Sequence, residues 1–265
     1  MTQVQDFFAG KKLGLDLSGG GSRGFGHLGM LHYLEEQGIS PCCIAASSAG
    51  ALVGVCLAAG KSAKETGEYF LKHNLIRKSF TLSTKGILDT YKIVRQVLSF
   101  AGVKMFSELK IPLAVNAMDI NTGKEKTFSS GKLLPALRAT IALPLVCFPV
   151  QVGKQWYVDG SVMDVVPTHL LPPVDVAVAV DVSLPPGKVD RNANQLGVVT
   201  NMIIFSQRRN LIVDDSEDAR FNCYIRIPLK GFSLLEYSEK KHKEMIEQGY
   251  RYGKRKLNEF VKKHI

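Results

Sequence analysis

Short apolar segments alternate with helical stretches along this chain. Leu13–Leu17 and Ile44–Ala46 are short apolar runs that end at small or polar residues, a pattern typical of buried strands. A helical pattern ending near Gly38 follows the first run, and a helix predicted over Ala49–Ala59 follows the second. Strands that alternate with helices indicate a mostly parallel sheet with helices on both faces. The sequence therefore predicts an α/β fold.

The same alternation continues to the end of the chain. Further strands are predicted at Leu113–Met118, Trp156–Val158, Val174–Val182 and Cys223–Ile227, with helical or loop stretches at Leu133–Ala142, Leu196–Val213 and Ser238–Val261. No repeat or linker-like tract divides the 265 residues, so we expect one domain over residues 1–265. The N-terminal segment has no apolar stretch of signal-peptide length, and the five cysteines fit neither a disulfide framework nor paired zinc ligands. We therefore expect a cytoplasmic protein with reduced thiols.

A glycine-rich segment separates the first predicted strand from its helix. Gly19, Gly21 and Gly24 have the G-x-G-x-x-G spacing of a dinucleotide-binding turn. Such a turn needs an acidic residue about 20 positions later to bind the ribose, and residues 39–48 contain no acid. The spacing is therefore weak support for a nucleotide cofactor. The backbone N–H groups of such a loop, at a helix N-terminus, can instead bind a phosphate or the oxyanion of a reaction.

The segment from Ala46 to Gly50 matches the strand–turn–helix context of a nucleophile elbow. Ser48 stands at the apex, and Gly50 leaves room for a tight turn. Ala46 replaces the usual first glycine and adds a methyl group where strand and helix approach each other. Serines before a helix are also ordinary capping residues, so this segment alone leaves both interpretations open.

Asp159 ends a short aromatic strand and is followed directly by Gly160. Reactive groups gather at the carboxyl ends of parallel strands, which would place Asp159 at one edge with Ser48 and the glycine loop. Asp-Gly is also a common turn dipeptide, and in isolation the turn is the simpler interpretation.

Taken in chain order, these segments resemble the patatin-like phospholipase family. The motifs are GGGSRGFGHLG at 19–29, SSAGALVG at 47–54 and DGSVMDVVP at 159–167, and AVNAMDINTGKEKTFSSG at 114–131 and ALRATIALPLVCFPV at 136–150 look similar to the family's intervening stretch. The resemblance implies a three-layer α/β/α fold. It also implies a Ser–Asp dyad that hydrolyses acyl esters of lipids, such as phospholipids or lysophospholipids, without a metal or other cofactor.

Carried over by motif position, Ser48 is the nucleophile and Asp159 its partner base. Gly19, Gly20 and Gly21 form the oxyanion loop, and Arg23 matches the basic residue of that loop. Ala49, Gly50 and Gly160 are supporting positions next to the reacting side chains.

Three residues depart from the family pattern. Ala46 replaces the first elbow glycine, Ser161 stands where a second glycine often follows the acid, and Asp164 stands where asparagine is frequent. None of these changes removes a reacting group. Asp164 adds a like charge that would raise a pKa in the pair if it lay close to Asp159.

Other functions remain open on the residues. An α/β-hydrolase would use a histidine downstream of Asp159, for which His169 and His242 are the candidates, whereas His27 is expected to brace the glycine loop. A non-enzymatic lipid-binding or regulatory protein, or an acyltransferase with the same dyad, fits the same motifs.

The net charge of +10 is concentrated in two segments. Residues 72–95 hold six Lys/Arg and one acid, and residues 239–264 hold nine Lys/Arg and four acids. We expect one or both of these segments to favour an anionic membrane surface, which would place the protein peripherally on the inner face of the membrane. No aromatic-and-basic strand, zinc motif or helix-turn-helix pattern supports nucleic acid as a partner. The second segment also has the spacing of an outer helix with a solvated basic face.

Overall fold

A mixed β-sheet forms the centre of the protein. The computed structural model describes residues 2–75, 80–83, 86–187, 195–207 and 222–265. Its strands are β1 Leu13–Leu17, β2 Cys43–Ala46, β3 Phe80–Ser83, β4 Gly86–Leu88, β5 Leu113–Asp119, β6 Glu125–Phe128, β7 Val150–Val152, β8 Gln155–Asp159, β9 Val176–Asp181 and β10 Cys223–Arg226. Its helices are α1 Gln3–Phe8, α2 Phe25–Glu36, α3 Ser48–Ala58, α4 Ala63–His73, α5 Thr90–Ala101, α6 Leu133–Thr140, α7 Gln195–Gln207 and α8 Glu239–His264.

The core of the sheet is parallel. Neighbouring strands run in the order β10-β9-β1-β2-β5, all parallel, while β6, β7 and β8 add antiparallel pairs on the β5 side. Strands β1, β2 and β9 are buried along their whole length, as expected where helices cover both faces. The predicted three-layer α/β/α fold with a mostly parallel sheet is confirmed. Of the stretch Leu196–Val213, which is predicted to be helical or loop, residues 208–213 lie outside the described part of the chain.

The strand that carries Asp159 runs against the parallel core, not with it as predicted. Val115 of β5 pairs with Ala46 of β2, and Ala117, two residues further on, pairs with Asp159 of β8. Because β6 pairs with the other edge of β5 at the same residues, β2 and β8 share one edge. One is parallel to β5 and the other antiparallel, so their carboxyl ends face each other. This arrangement brings together the two turns that follow those strands.

Helix α8 carries one of the two basic segments. It packs mainly on α2, so closely that a Cβ atom on Gly29 would come 1.9 Å from the carbonyl oxygen of Ile246. Leu257 and Val261 are buried, whereas the lysines and arginines of the helix are exposed. The prediction of an outer helix with a solvated basic face is confirmed, with α2 rather than the sheet as its main support.

Two kinds of feature are absent from the described ranges. None of the helices there combines the length and the apolar character needed to cross a bilayer. Within those same ranges, no cluster of three or more His, Cys, Asp or Glu side chains is arranged to hold a metal ion.

Candidate active site

Ser48 lies at a strained turn between β2 and α3. Its φ is +50°, a left-handed conformation that few residues other than glycine adopt, and which is typical of a nucleophile elbow. The turn depends on Gly50, because a Cβ atom there would come 2.1 Å from the carbonyl oxygen of Leu17. The Ser48 amide donates to Thr140 Oγ1 at 3.0 Å, which ties the elbow to the end of α6. Thr140 is therefore a supporting residue that the sequence did not single out.

Asp159 meets Ser48 from the opposing strand. The Ser48 hydroxyl donates to Asp159 Oδ2 at 2.6 Å, a short charge-assisted hydrogen bond. Both side chains are buried, with 8% of Ser48 and 1% of Asp159 exposed. The predicted nucleophile and base are thus in direct contact across the gap between β2 and β8.

The other oxygen of Asp159 is occupied by Ser161. Its backbone N–H and its hydroxyl both donate to Asp159 Oδ1, at 2.9 and 2.7 Å. Burial raises the pKa of Asp159 to about 6, while the hydrogen bonds from Ser48 and Ser161 oppose that rise. Burial, rather than a like charge on Asp164, is the largest cause of this rise, and the Asp164 carboxylate accepts from the Val166 amide at 3.0 Å. Serine at position 161, in place of glycine, therefore provides an additional hydrogen-bond donor, its hydroxyl, to Asp159.

The glycine loop packs directly against this pair. A Cβ atom on Gly19 would come 2.9 Å from the Cβ of Ser161 and 3.2 Å from that of Ser48. The Gly19 amide donates to the Val165 carbonyl at 3.1 Å, so it is already engaged. For the amides of Gly20 and Gly21, no acceptor is recorded among the residues that the structure describes. Of the three predicted oxyanion donors, these two are the ones available to a ligand.

The buried Arg23 side chain ties the glycine loop to two other segments. Only 2% of the residue is exposed, and its guanidinium donates to backbone carbonyls at the ends of two other segments. Nε donates to Val182 at 2.6 Å, Nη1 to Leu229 at 2.6 Å, and Nη2 to Ser183 at 3.1 Å. His27 braces the same loop, as predicted, because one of its ring nitrogens lies 2.9 Å from the Ser18 carbonyl oxygen. Burial lowers the pKa of His27 to about 4.

Asn116 supports the segment that follows the acid. Its side-chain amide donates to the carbonyls of Gly160 and Asp164, at 3.2 and 3.0 Å. The approach is so close that a Cβ atom on Gly160 would lie 2.1 Å from Asn116 Oδ1. Gly160 is therefore required for packing against β5, a role that its place in a turn dipeptide did not reveal.

The alanine at the start of the elbow is accommodated by a glycine on α3. A Cβ atom built on Gly54 would lie 3.6 Å from the Cβ of Ala46, so the missing side chain at 54 leaves space for the extra methyl group. Strand and helix thus remain close even though the first elbow glycine is absent.

The two candidate histidines have other partners. His169 is 2.7 Å from Glu125 Oε2, and His242 bonds to the Glu236 carbonyl at 2.9 Å while it stacks on Phe25. All six histidines of the chain lie within the described residues, and none is recorded in a hydrogen bond with Asp159 or Ser48. The geometry therefore favours a dyad over a triad.

A pocket leads away from the reacting pair. Gly19, Gly20, Gly21, Ser48 and Asp159 form its polar end. The remaining walls are mostly apolar and come from α3, α4, α5 and nearby loops, including Leu52, Val53, Phe70, Leu75, Leu88, Ile93, Ile141, Leu143, Val146, Leu234 and Leu235. An apolar pocket that ends at a serine, a carboxylate and two available amides fits an ester with a long hydrocarbon part.

Comparison with known proteins gives a consistent family. The model described as "Patatin-like phospholipase" matches residues 15–172, which is more than half of the chain. An uncharacterized NTE family protein of Mycobacterium bovis is 33% identical over 176 residues, which cover 65% of this chain and 49% of that protein. The chain therefore spans about half the length of this curated relative. Lysophospholipase nte1 of Aspergillus fumigatus is 25% identical, covering 94% of this chain and 18% of its own.

Among solved structures, VipD from Legionella pneumophila is similar in fold. The TM-score is 0.56 at 14% sequence identity, and the match covers 94% of this chain and 67% of that one. At this identity the likeness supports the fold alone.

Proposed function

The chain belongs to the patatin-like phospholipase family, and we propose on that premise that it hydrolyses acyl esters of lipids with Ser48 as nucleophile and Asp159 as base. The observation that carries the proposal is the 2.6 Å hydrogen bond from Ser48 Oγ to Asp159 Oδ2 at the polar end of an apolar pocket. The relative named a lysophospholipase supports the substrate class, phospholipid or lysophospholipid.

In the first step, Ser48 Oγ attacks the ester carbonyl carbon while its proton passes to Asp159 Oδ2. A carboxylate is a weak base at its ordinary pKa, and a base works best when its pKa lies near the working pH. Burial supports this role of Asp159 by raising its pKa to about 6. Ser161 holds Oδ1, so that Oδ2 remains directed at Ser48.

The tetrahedral intermediate places a negative charge on the former carbonyl oxygen. We propose the amides of Gly20 and Gly21 as its hydrogen-bond donors, with Gly19 kept small so that the loop can approach Ser48. One such donor is worth roughly 3–4 kcal/mol in enzymes where it has been removed. The intermediate then collapses, the alcohol takes the proton from Asp159 and leaves, and the acyl group remains on Ser48.

In the second step, water attacks the acyl-enzyme. Asp159 accepts a proton from the water, the same amides stabilise the second intermediate, and the fatty acid leaves as Ser48 recovers its proton. The same carboxylate oxygen, Asp159 Oδ2, thus serves as the base in both steps.

We also propose that the basic segments at 72–95 and 239–264 attract the protein to an anionic membrane surface. The exposed lysines and arginines of α8 support this for the second segment. Sedimentation with neutral and with anionic vesicles at low salt tests it: stronger binding to the anionic vesicles is expected, and equal binding would contradict it.

The hydrolysis proposal is tested by product analysis with variants of Ser48, Asp159 and the neighbouring Ser47. Purified protein is incubated with lysophosphatidylcholine, and free fatty acid is measured by mass spectrometry. We expect Ser48→Ala and Asp159→Asn to lose activity by about 100-fold or more. Ser47→Ala is the matched control, because the buried Ser47 hydroxyl has no hydrogen-bond partner among the described residues.

Two results would contradict the proposal. One is fatty acid release by Ser48→Ala at the rate of the parent protein. The other is an absence of release from every lysophospholipid, phospholipid and simple acyl ester that is offered to the parent.

A further inference from the structure

The loop between α6 and β7 presents two exposed apolar side chains beside the pocket. Leu145 is 51% exposed and Phe148 is 48% exposed. Leu143 and Val146, close to Leu145 along the chain, line the pocket, so Leu145 lies at its rim. Large apolar side chains that are exposed next to an apolar pocket are typical of a binding surface.

Leu145 occupies a turn position that glycine normally fills. The amides of Val146 and Cys147 donate to the Leu143 carbonyl at 3.1 and 2.8 Å, with Pro144 and Leu145 at the centre of the turn. The φ of Leu145 is +70°, and a positive φ directly after proline is typical of a type II turn, which favours glycine or asparagine there. Leucine is therefore strained at this turn position, and its side chain does not pack in the core. The side chain is instead exposed to solvent.

A basic segment adjoins this turn. The Leu88 amide donates to the Val146 carbonyl at 3.1 Å, which ties the end of β4 to the turn. Leu88 belongs to residues 72–95, in which six Lys/Arg accompany one acid. Lys92 and Arg95, which follow Leu88 on α5, are both exposed. Exposed apolar side chains and exposed cations on segments that are tied together match the boundary of an anionic lipid surface, where acyl chains lie beneath charged headgroups.

We propose that Leu145 and Phe148 insert into a lipid surface and bring the mouth of the pocket onto it. The inference rests on the proposed lipid ester hydrolysis, and it names the part of the molecule that contacts the aggregated substrate. A substrate acyl chain then passes from the lipid phase into the apolar pocket without exposure to water. The position of the turn between an acyl-binding pocket and a basic segment favours a lipid surface over a protein partner.

The test measures binding and turnover separately. Vesicles of phosphatidylcholine with phosphatidylglycerol are sedimented with the parent protein, Leu145→Gly and Phe148→Ser. Each variant is expected to partition about tenfold less onto the vesicles, since each loses one inserted apolar side chain. Hydrolysis of phospholipid in the vesicles is expected to fall together with vesicle binding, whereas hydrolysis of a monomeric short-chain ester is expected to be unchanged.

Three controls separate insertion from misfolding. Leu145→Gly relieves the turn, so its melting temperature is expected to equal or exceed that of the parent. Leu145→Met keeps an apolar side chain and is expected to keep vesicle binding. Ile265→Ser removes a still more exposed apolar side chain, 76% exposed, just after the end of α8. This change leaves the charge of α8 unaltered, so vesicle binding is expected to stay the same.

The inference is overturned if Leu145→Gly and Phe148→Ser sediment with vesicles like the parent, or if the parent does not bind vesicles. Vesicle binding and ester hydrolysis by Ser48→Ala distinguish the failure of the lipid-surface proposal from the failure of the proposed mechanism. If that variant binds vesicles but still hydrolyses the monomeric ester, the proposed mechanism fails while the lipid surface stands.

Discussion

Replacing Ser161 with alanine tests how the protein sets the basicity of Asp159. The variant removes the hydroxyl that donates to Asp159 Oδ1 at 2.7 Å, while the backbone N–H of residue 161 keeps its own bond to the same oxygen. Asp159 must be ionised to accept the Ser48 proton. In the parent, kcat/KM is therefore expected to rise with pH through the Asp159 pKa of about 6.

The size of the effect follows from the lost hydrogen bond. A donor to a charged group contributes about 1.5–3 kcal/mol, and one pKa unit corresponds to about 1.4 kcal/mol, so the pKa of Asp159 should rise by about 1–2 units. At a pH below the Asp159 pKa of both proteins, the rate follows the ionised fraction of Asp159. There, kcat/KM of Ser161→Ala is expected to be about 10–100-fold lower than that of the parent. On the alkaline plateau, where both proteins hold an ionised Asp159, the loss is much smaller.

The assay is the pH profile of hydrolysis of a soluble acyl ester from pH 4.5 to 9, with Ser47→Ala as the matched control. We expect the acidic limb to move to higher pH in Ser161→Ala and to stay in place in the control. A limb that does not move in Ser161→Ala, whatever happens to the maximal rate, would refute the idea that this hydroxyl stabilises the ionised base.

Three further variants test other parts of the site. Gly50→Ala places a Cβ atom 2.1 Å from the Leu17 carbonyl oxygen and should destabilise the fold by about 1–3 kcal/mol, measured by urea unfolding. Arg23→Met leaves the buried carbonyls of Val182 and Leu229 without their donor and should cost at least about 2 kcal/mol in the same measurement; an unchanged midpoint would show that the loop does not need this anchor. His169→Gln should keep ester hydrolysis within about threefold, because His169 bonds to Glu125; a loss of about 100-fold would instead identify a histidine base.

The parallel core of the fold could be predicted from the sequence because its strands are short apolar runs between clear turns. Leu13–Leu17 was predicted to the residue, and the strand at Ile44–Ala46 begins one residue earlier, at Cys43. Helix α4 was not predicted, although Ser62 and Glu65 form a capping box at its start. Strands β6 and β7 give weaker signals, because they are three or four residues long and partly exposed.

The reacting residues could also be predicted, but not the way they meet. Ser48 and Asp159 were named from their turns and from the family resemblance. The antiparallel direction of β8 depends on pairing with β5, which no local pattern reports. Thr140 acts through its contact with Ser48, and Asn116 through its contacts with Gly160 and Asp164. These contacts form only when distant segments pack. The engaged amide of Gly19 is a similar case, since its acceptor, Val165, lies far along the chain.

The most direct test of the mechanism is to trap the acyl-enzyme. The protein is mixed with a p-nitrophenyl acyl ester, quenched in acid within one turnover, digested, and analysed by peptide mass spectrometry. We expect an added acyl group on the peptide that contains Ser48, localised to that side chain and not to Ser47, and absent in Ser48→Ala. An acyl group on any other residue that forms and decays at the rate of turnover would contradict the assignment of Ser48 as the nucleophile.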